Sequence, residues 1–152
     1  MTATRNLLEM LSPAGRDRLL GFATEVSFPA GARVFHQGSR ADRFWIVHSG
    51  TVVLDVHVPG RRAAAVDRIG QQEMLGWSWL IPPHVWQLGA ETNSPVRALE
   101  FDAPGVRGLC EEDPVLGQVI TRCVAEVVGH RLTSTRTRLL DLYGPYGSGP
   151  TR

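Results

Sequence analysis

The hydrophobic period of this chain changes twice, at Thr24 and again past Pro104. Between those points, short β-rich runs alternate with glycine-centred turns: VSF, ARVFHQG, RFWIVHSG, TVVLDVHV, AAAVDRIG, LGAET and VRALEFD. In TVVLDVHV, Val52, Leu54, Val56 and Val58 take one face, while Thr51, Val53, Asp55 and His57 take the other. That alternation marks a half-buried strand, and Pro59-Gly60 marks the turn that follows. Several short strands separated by such turns predict a small all-β barrel or sandwich over about residues 24–102.

Helical spacing flanks this region. Ser12-Pro13 predicts a helix start, with a serine to cap free N–H groups and a proline that loses no needed donor. Leu19, Leu20 and Phe22 supply its apolar side, and Leu7, Leu8 and Leu11 an earlier turn. Beyond Pro104, a short helix is expected to include Val106 to Glu111. Glu111-Glu112-Asp113 reads as a solvated turn whose charge suits the start of the next helix. That helix runs from about Pro114 to Tyr143, with Leu116, Ile120, Val124, Val128 and Leu132 spaced by four, Val127 beside them, and Leu139 and Leu142 further on. About 29 helical residues span roughly 43 Å, more than a lid on a small barrel needs. The surplus predicts a homodimer through this helix. Residues 144–152 read as a flexible tail, leaving one domain over 1–143.

A chain of 152 residues has room for one substantial core. The net charge of +1 argues against nucleic acid as the main partner. No signal peptide or membrane-spanning run is visible, which predicts a cytoplasmic protein with no membrane partner. Cys110 and Cys123 read as buried reduced thiols. The five histidines are scattered without a His-x-His pair, and His57 with Asp55 does not make a closed metal site. No nucleophile motif or phosphate loop is present. Neither catalytic residues nor a metal is therefore expected.

The ordered set FPAGARVFHQG (28–38), ADRFWIVHSG (41–50), Gly70 and Gly76, followed by a long last helix, resembles the cyclic-nucleotide-binding domain of the catabolite-activator and protein-kinase-A regulatory families. The resemblance runs from about Leu7 to Leu142. It implies a mainly β fold: an antiparallel, jelly-roll-like β-roll with short N-terminal helices and a long C-terminal helix. It also implies a phosphate-binding cassette formed by Gly76, Trp77, Ser78, Trp79, Leu80, Trp86, Gln87 and Leu88. Arg131, Thr135 and Arg136 of the last helix would be its lid, with Thr135 at the base-contacting position. A solvated helix face is the alternative for these residues.

In the family, the cassette glycine precedes a glutamate that holds the ribose, and an arginine further on pairs with the cyclic phosphate. Here those positions hold Trp77 and Trp86, and Gln87 stands where a small or hydroxyl residue is usual. Breaking a buried charge pair costs about 3–5 kcal/mol, so ordinary binding of cAMP or cGMP is not expected. A helix N-terminus at residues 76–79 would be the remaining anion-binding feature. The tryptophans admit three readings: they fill a collapsed pocket, stack on a flatter nucleotide-like ligand, or present an aromatic patch to a protein partner, with Pro82-Pro83 displaying His84, Val85 and Trp86. About ten residues follow Leu142, too few for a reading helix, so direct DNA binding is not expected. The resulting expectation is a stand-alone, non-enzymatic ligand-sensing or regulatory module. The alternatives are a dimeric adaptor or a true cAMP receptor with substituted contacts.

Overall fold

The computed structural model describes residues 6–143. The tail expected over 144–152 lies outside the described residues. Two short helices come first, α1 (Leu7–Met10) and α2 (Pro13–Leu20). Ser12 caps α2, its hydroxyl accepting the Gly15 N–H at 3.1 Å, as the Ser-Pro pair predicts.

Eight strands follow: β1 (Ala23–Phe28), β2 (Arg33–Phe35), β3 (Arg43–Ser49), β4 (Val52–Val56), β5 (Ala64–Ile69), β6 (Met74–Leu75), β7 (Gly89–Thr92) and β8 (Val96–Asp102). They form two four-stranded antiparallel sheets, β1-β8-β3-β6 and β2-β7-β4-β5. The core lies between them and under the helices. Gly31, Gly38, Gly50 and Gly60 all take positive φ, the turn geometry their spacing suggests.

β4 is shorter than the alternation of TVVLDVHV predicts. Val52 and Leu54 point into the core, but the strand ends at Val56 and Val58 is exposed. Past Val56 the chain leaves the strand, so alternation alone does not bury a side chain. The two-residue β6 is too short to show a period and was not legible in the sequence.

Helix α3 (Ala103–Glu112) leads into α4 (Pro114–Tyr143). Asp113 starts α4 by accepting the Leu116 N–H at 3.2 Å. The two helices meet closely at Gly117, where a Cβ would lie 2.6 Å from the Cys110 carbonyl oxygen.

The buried face of α4 is Leu116, Ile120, Cys123, Val124, Val127 and Arg131. The expected stripe extended through Leu132, which is 68% exposed. Spacing by four overshoots each turn by about 40°, so a strict repeat of four leaves the core face after a few steps. Arg131 stays on that face and Leu132 does not.

Candidate functional site

The segment from Gly76 to Leu88 crosses the mouth of the roll between β6 and β7. It is a chain of turns without a helix. Leu80 N–H donates to the Trp77 carbonyl and Ile81 N–H to the Ser78 carbonyl, both at 3.3 Å. The expected helix N-terminus over residues 76–79 is thus not formed.

The segment is pinned by backbone bonds to the turn after β2. Gly38 N–H donates to the Trp86 carbonyl at 2.8 Å, Trp86 N–H to the Ser39 carbonyl at 2.9 Å, and Ala41 N–H to the His84 carbonyl at 2.8 Å. These bonds fix Trp86 with its ring turned inward. The indole stacks on Phe35 of β2 at 3.9 Å between centroids, and Trp45 of β3 lies 6.2 Å away. One side chain therefore bridges the inner faces of both sheets.

Trp79 enters a second stack. It lies 4.0 Å from Phe44, which in turn lies 4.6 Å from Phe101. Its carbonyl accepts from Arg107 at 2.6 Å, while its buried ring N–H has no hydrogen-bond partner among the described residues. Trp77 and Leu80 are half-buried against the core and Ser78 is buried. Gln87 is exposed, its amide bonded to the Val85 carbonyl at 3.2 Å.

Gly76, Trp77, Ser78, Trp86, Gln87 and Leu88 do come together, with Phe35 and Leu54, but the space they leave is only about 20 Å³. That is room for about one water molecule, against roughly 300–1,000 Å³ for an ordinary ligand pocket. Among the described residues, no charged side chain lines it. Because Trp79 and Trp86 are 0% and 4% exposed, these two tryptophans do not form a surface patch, and Pro82-Pro83 does not present Trp86 outward.

The helix residues separate from one another. Thr135 and Arg136 are exposed and are not among the residues lining this space. Arg131 is buried and forms an ion pair with Asp67 of β5. Asp67 pairs in register with Leu54, on the inward face of its strand, so this contact ties α4 to β5. Sequence reasoning passed over Asp67, although an acid at an inward position of AAAVDRI was the available signal. It also passed over Phe35 and Trp45, which lie inside the two motif stretches and form the wall that Trp86 fills.

On the outer face of the second sheet, Arg33 forms ion pairs with Asp55 at 3.0 Å and Glu91 at 2.8 Å. Its pKa is raised, chiefly by the hydrogen bond to Asp55. This network braces β2, β4 and β7. Among the described residues, no group of three or more His, Cys, Asp or Glu is placed to hold a metal ion. No helix among them is long and apolar enough to cross a membrane.

Residues 25–113 match the family model of the cyclic nucleotide-binding domain. The chain belongs to the cyclic nucleotide-binding domain family. It is 27% identical over 140 residues to the CRP-like cAMP-activated global transcriptional regulator of Mycobacterium tuberculosis. That match covers 92% of this chain and 61% of the relative, so the domain spans about three-fifths of the regulator's length. Among solved structures, it is similar to a candidate cyclic nucleotide-binding protein from Geobacter metallireducens GS-15, with a TM-score of 0.76, 26% identity, and coverage of 84% of this chain and 92% of that one. The c-di-GMP responsive global regulator CLP of Xanthomonas campestris shares the fold at 18% identity, with a TM-score of 0.75 and coverage of 86% of this chain and 64% of that one.

Proposed function

We propose that this domain is a non-enzymatic regulatory module that does not take up cAMP or cGMP in the ordinary way. The observation that carries the reading is the Trp86 ring, stacked on Phe35 where the cassette closes over the roll, with about 20 Å³ left beside it. A cyclic phosphate needs both space and a countercharge, and neither is available around Gly76. By the family resemblance, Trp77 and Trp86 stand at the ribose-binding and phosphate-binding positions. The cAMP activation of the mycobacterial relative and the c-di-GMP response of the Xanthomonas regulator are therefore not carried over to this chain.

The ion pair between Arg131 and Asp67 supports the same reading. It holds α4 against the roll through the protein's own charges, so the closed arrangement does not require a ligand. The regulatory surface is then on α4 itself. Leu132 and Leu139, 68% and 54% exposed, are seven residues apart, and Thr135 lies between them on that face. The domain is proposed to dimerise there, with Thr135 in the seam instead of over a base. This surface favours an adaptor that works through α4 over one that works through the cassette.

The test is a calorimetric titration with cAMP, cGMP and c-di-GMP, with tryptophan fluorescence recorded in parallel. No saturation is expected up to about 1 mM, a binding free energy weaker than about 4 kcal/mol. Micromolar binding of a cyclic nucleotide that quenches Trp86 would overturn the proposal.

A further inference from the structure

A half-open groove of about 420 Å³ lies on the outer face of the β1-β8-β3-β6 sheet, outside the roll and away from the cassette. Its volume falls within the range of ordinary small-ligand sites. Leu8, Ile46 and Leu99 give it an apolar floor, and Glu25, His48 and Arg97 form its rim. The strand register fixes this arrangement. Glu25 pairs with Leu99 and Leu99 with Ile46, while Arg97 pairs with Ser27, so all five side chains share one face and Glu25 and Arg97 are diagonal neighbours across β1 and β8. The register shifts between Val47 and Ser49. His48, at that irregularity, is exposed beside Arg97 and lines the groove.

Among the described residues, neither Glu25 nor Arg97 forms an ion pair. The groove thus offers one free charge of each sign, on neighbouring strands beside an apolar floor. A simple anion would meet Glu25, and a simple cation would meet Arg97. Only a ligand carrying both charges satisfies both groups. We propose that this groove binds a zwitterionic small molecule with an apolar side chain, of the α-amino acid class. The carboxylate lies on Arg97 with the His48 ring beside it, the ammonium on Glu25, and the side chain on Leu8, Ile46 and Leu99. The bidentate donor geometry of arginine suits the carboxylate.

L-phenylalanine is the probe, titrated calorimetrically into the whole chain, with backbone amide shifts followed by NMR. Saturable binding is expected, with shifts concentrated on β1, β3 and β8. N-acetyl-L-phenylalanine removes the ammonium charge and L-phenylalaninamide removes the carboxylate. Each is expected to bind about tenfold or more weakly, the effect of losing one charge-assisted contact. Arg97→Ala and Glu25→Gln are expected to produce losses of the same size. Both residues are exposed, so the thermal midpoint should stay unchanged and report an intact fold. No heat with L-phenylalanine, equal binding of the three compounds, or full binding by Arg97→Ala would each overturn the proposal. None of these outcomes depends on whether the cassette binds a cyclic nucleotide.

Discussion

The Trp86 ring lies directly over Gly76: a Cβ on residue 76 would sit 2.6 Å from the indole Cη2. Gly76 also holds φ at +95°. Gly76 thus serves two purposes, turning the chain and leaving room for the Trp86 ring. Gly76→Ala combines left-handed strain with overpacking of a buried stack, and is expected to destabilise by about 2–4 kcal/mol. Urea denaturation of the variant measures this. A change below about 0.5 kcal/mol would mean the ring can move aside at little cost.

Removing the indole should cost stability and open a void. Trp86→Ala is expected to destabilise by about 3–5 kcal/mol. The void would be bounded by Phe35, Leu54 and Trp77, an apolar lining suited to small aromatic guests. Added indole should therefore raise the thermal midpoint of Trp86→Ala and leave that of the parent unchanged.

The pair formed by Arg131 and Asp67 is buried on the arginine side and about one-fifth exposed on the aspartate side. Arg131→Met leaves an unpaired acid on β5 and is expected to cost about 2–4 kcal/mol, near the lower part of the range for buried pairs. Arg131→Met combined with Asp67→Leu should recover most of that loss, because the double replacement strands no charge. Hydrogen exchange along α4 should accelerate in the single variant and slow again in the double one.

Leu132 and Leu139 should control the oligomeric state. Leu132→Glu with Leu139→Glu is expected to yield a monomer by analytical ultracentrifugation, while the thermal midpoint of the isolated subunit changes little. A parent protein that sediments as a monomer at all concentrations would remove the basis for an α4 seam.

The Cys110 thiol is pushed up from its ordinary pKa, first by burial and then by the charges of Asp113 and Glu111. A thiol whose folded pKa exceeds its unfolded value, about 8.5, contributes stability that is complete below the unfolded value. That contribution is lost as pH rises through the folded one. Stability should fall with pH on the alkaline side of about 8.5, and Cys110→Ala should flatten the fall. Urea denaturation of both proteins over a pH series measures it.

Much of the architecture was legible because it rests on local rules. Ser12-Pro13 and Asp113-Pro114 mark helix starts through capping chemistry, and the alternation of Val52 and Leu54 marks a strand face. Gly76 and the two motif stretches were enough to point to the family that the match over residues 25–113 shows. The start of the long helix was also readable, because Asp113-Pro114 marks it.

The direction in which each side chain points was not readable. Trp86 turns inward because backbone bonds to Gly38 and Ser39 hold its segment there, and those partners are distant in sequence. Leu132 and Arg131 exchange their expected roles because the drift of the helical period matters only against a core surface, which no local pattern supplies. The presence of tryptophan at positions 77 and 86 is plain in the sequence. That Trp86 fills the space beside Gly76 was decided by packing between two sheets, where Phe35 and Trp45 meet only after the roll has closed.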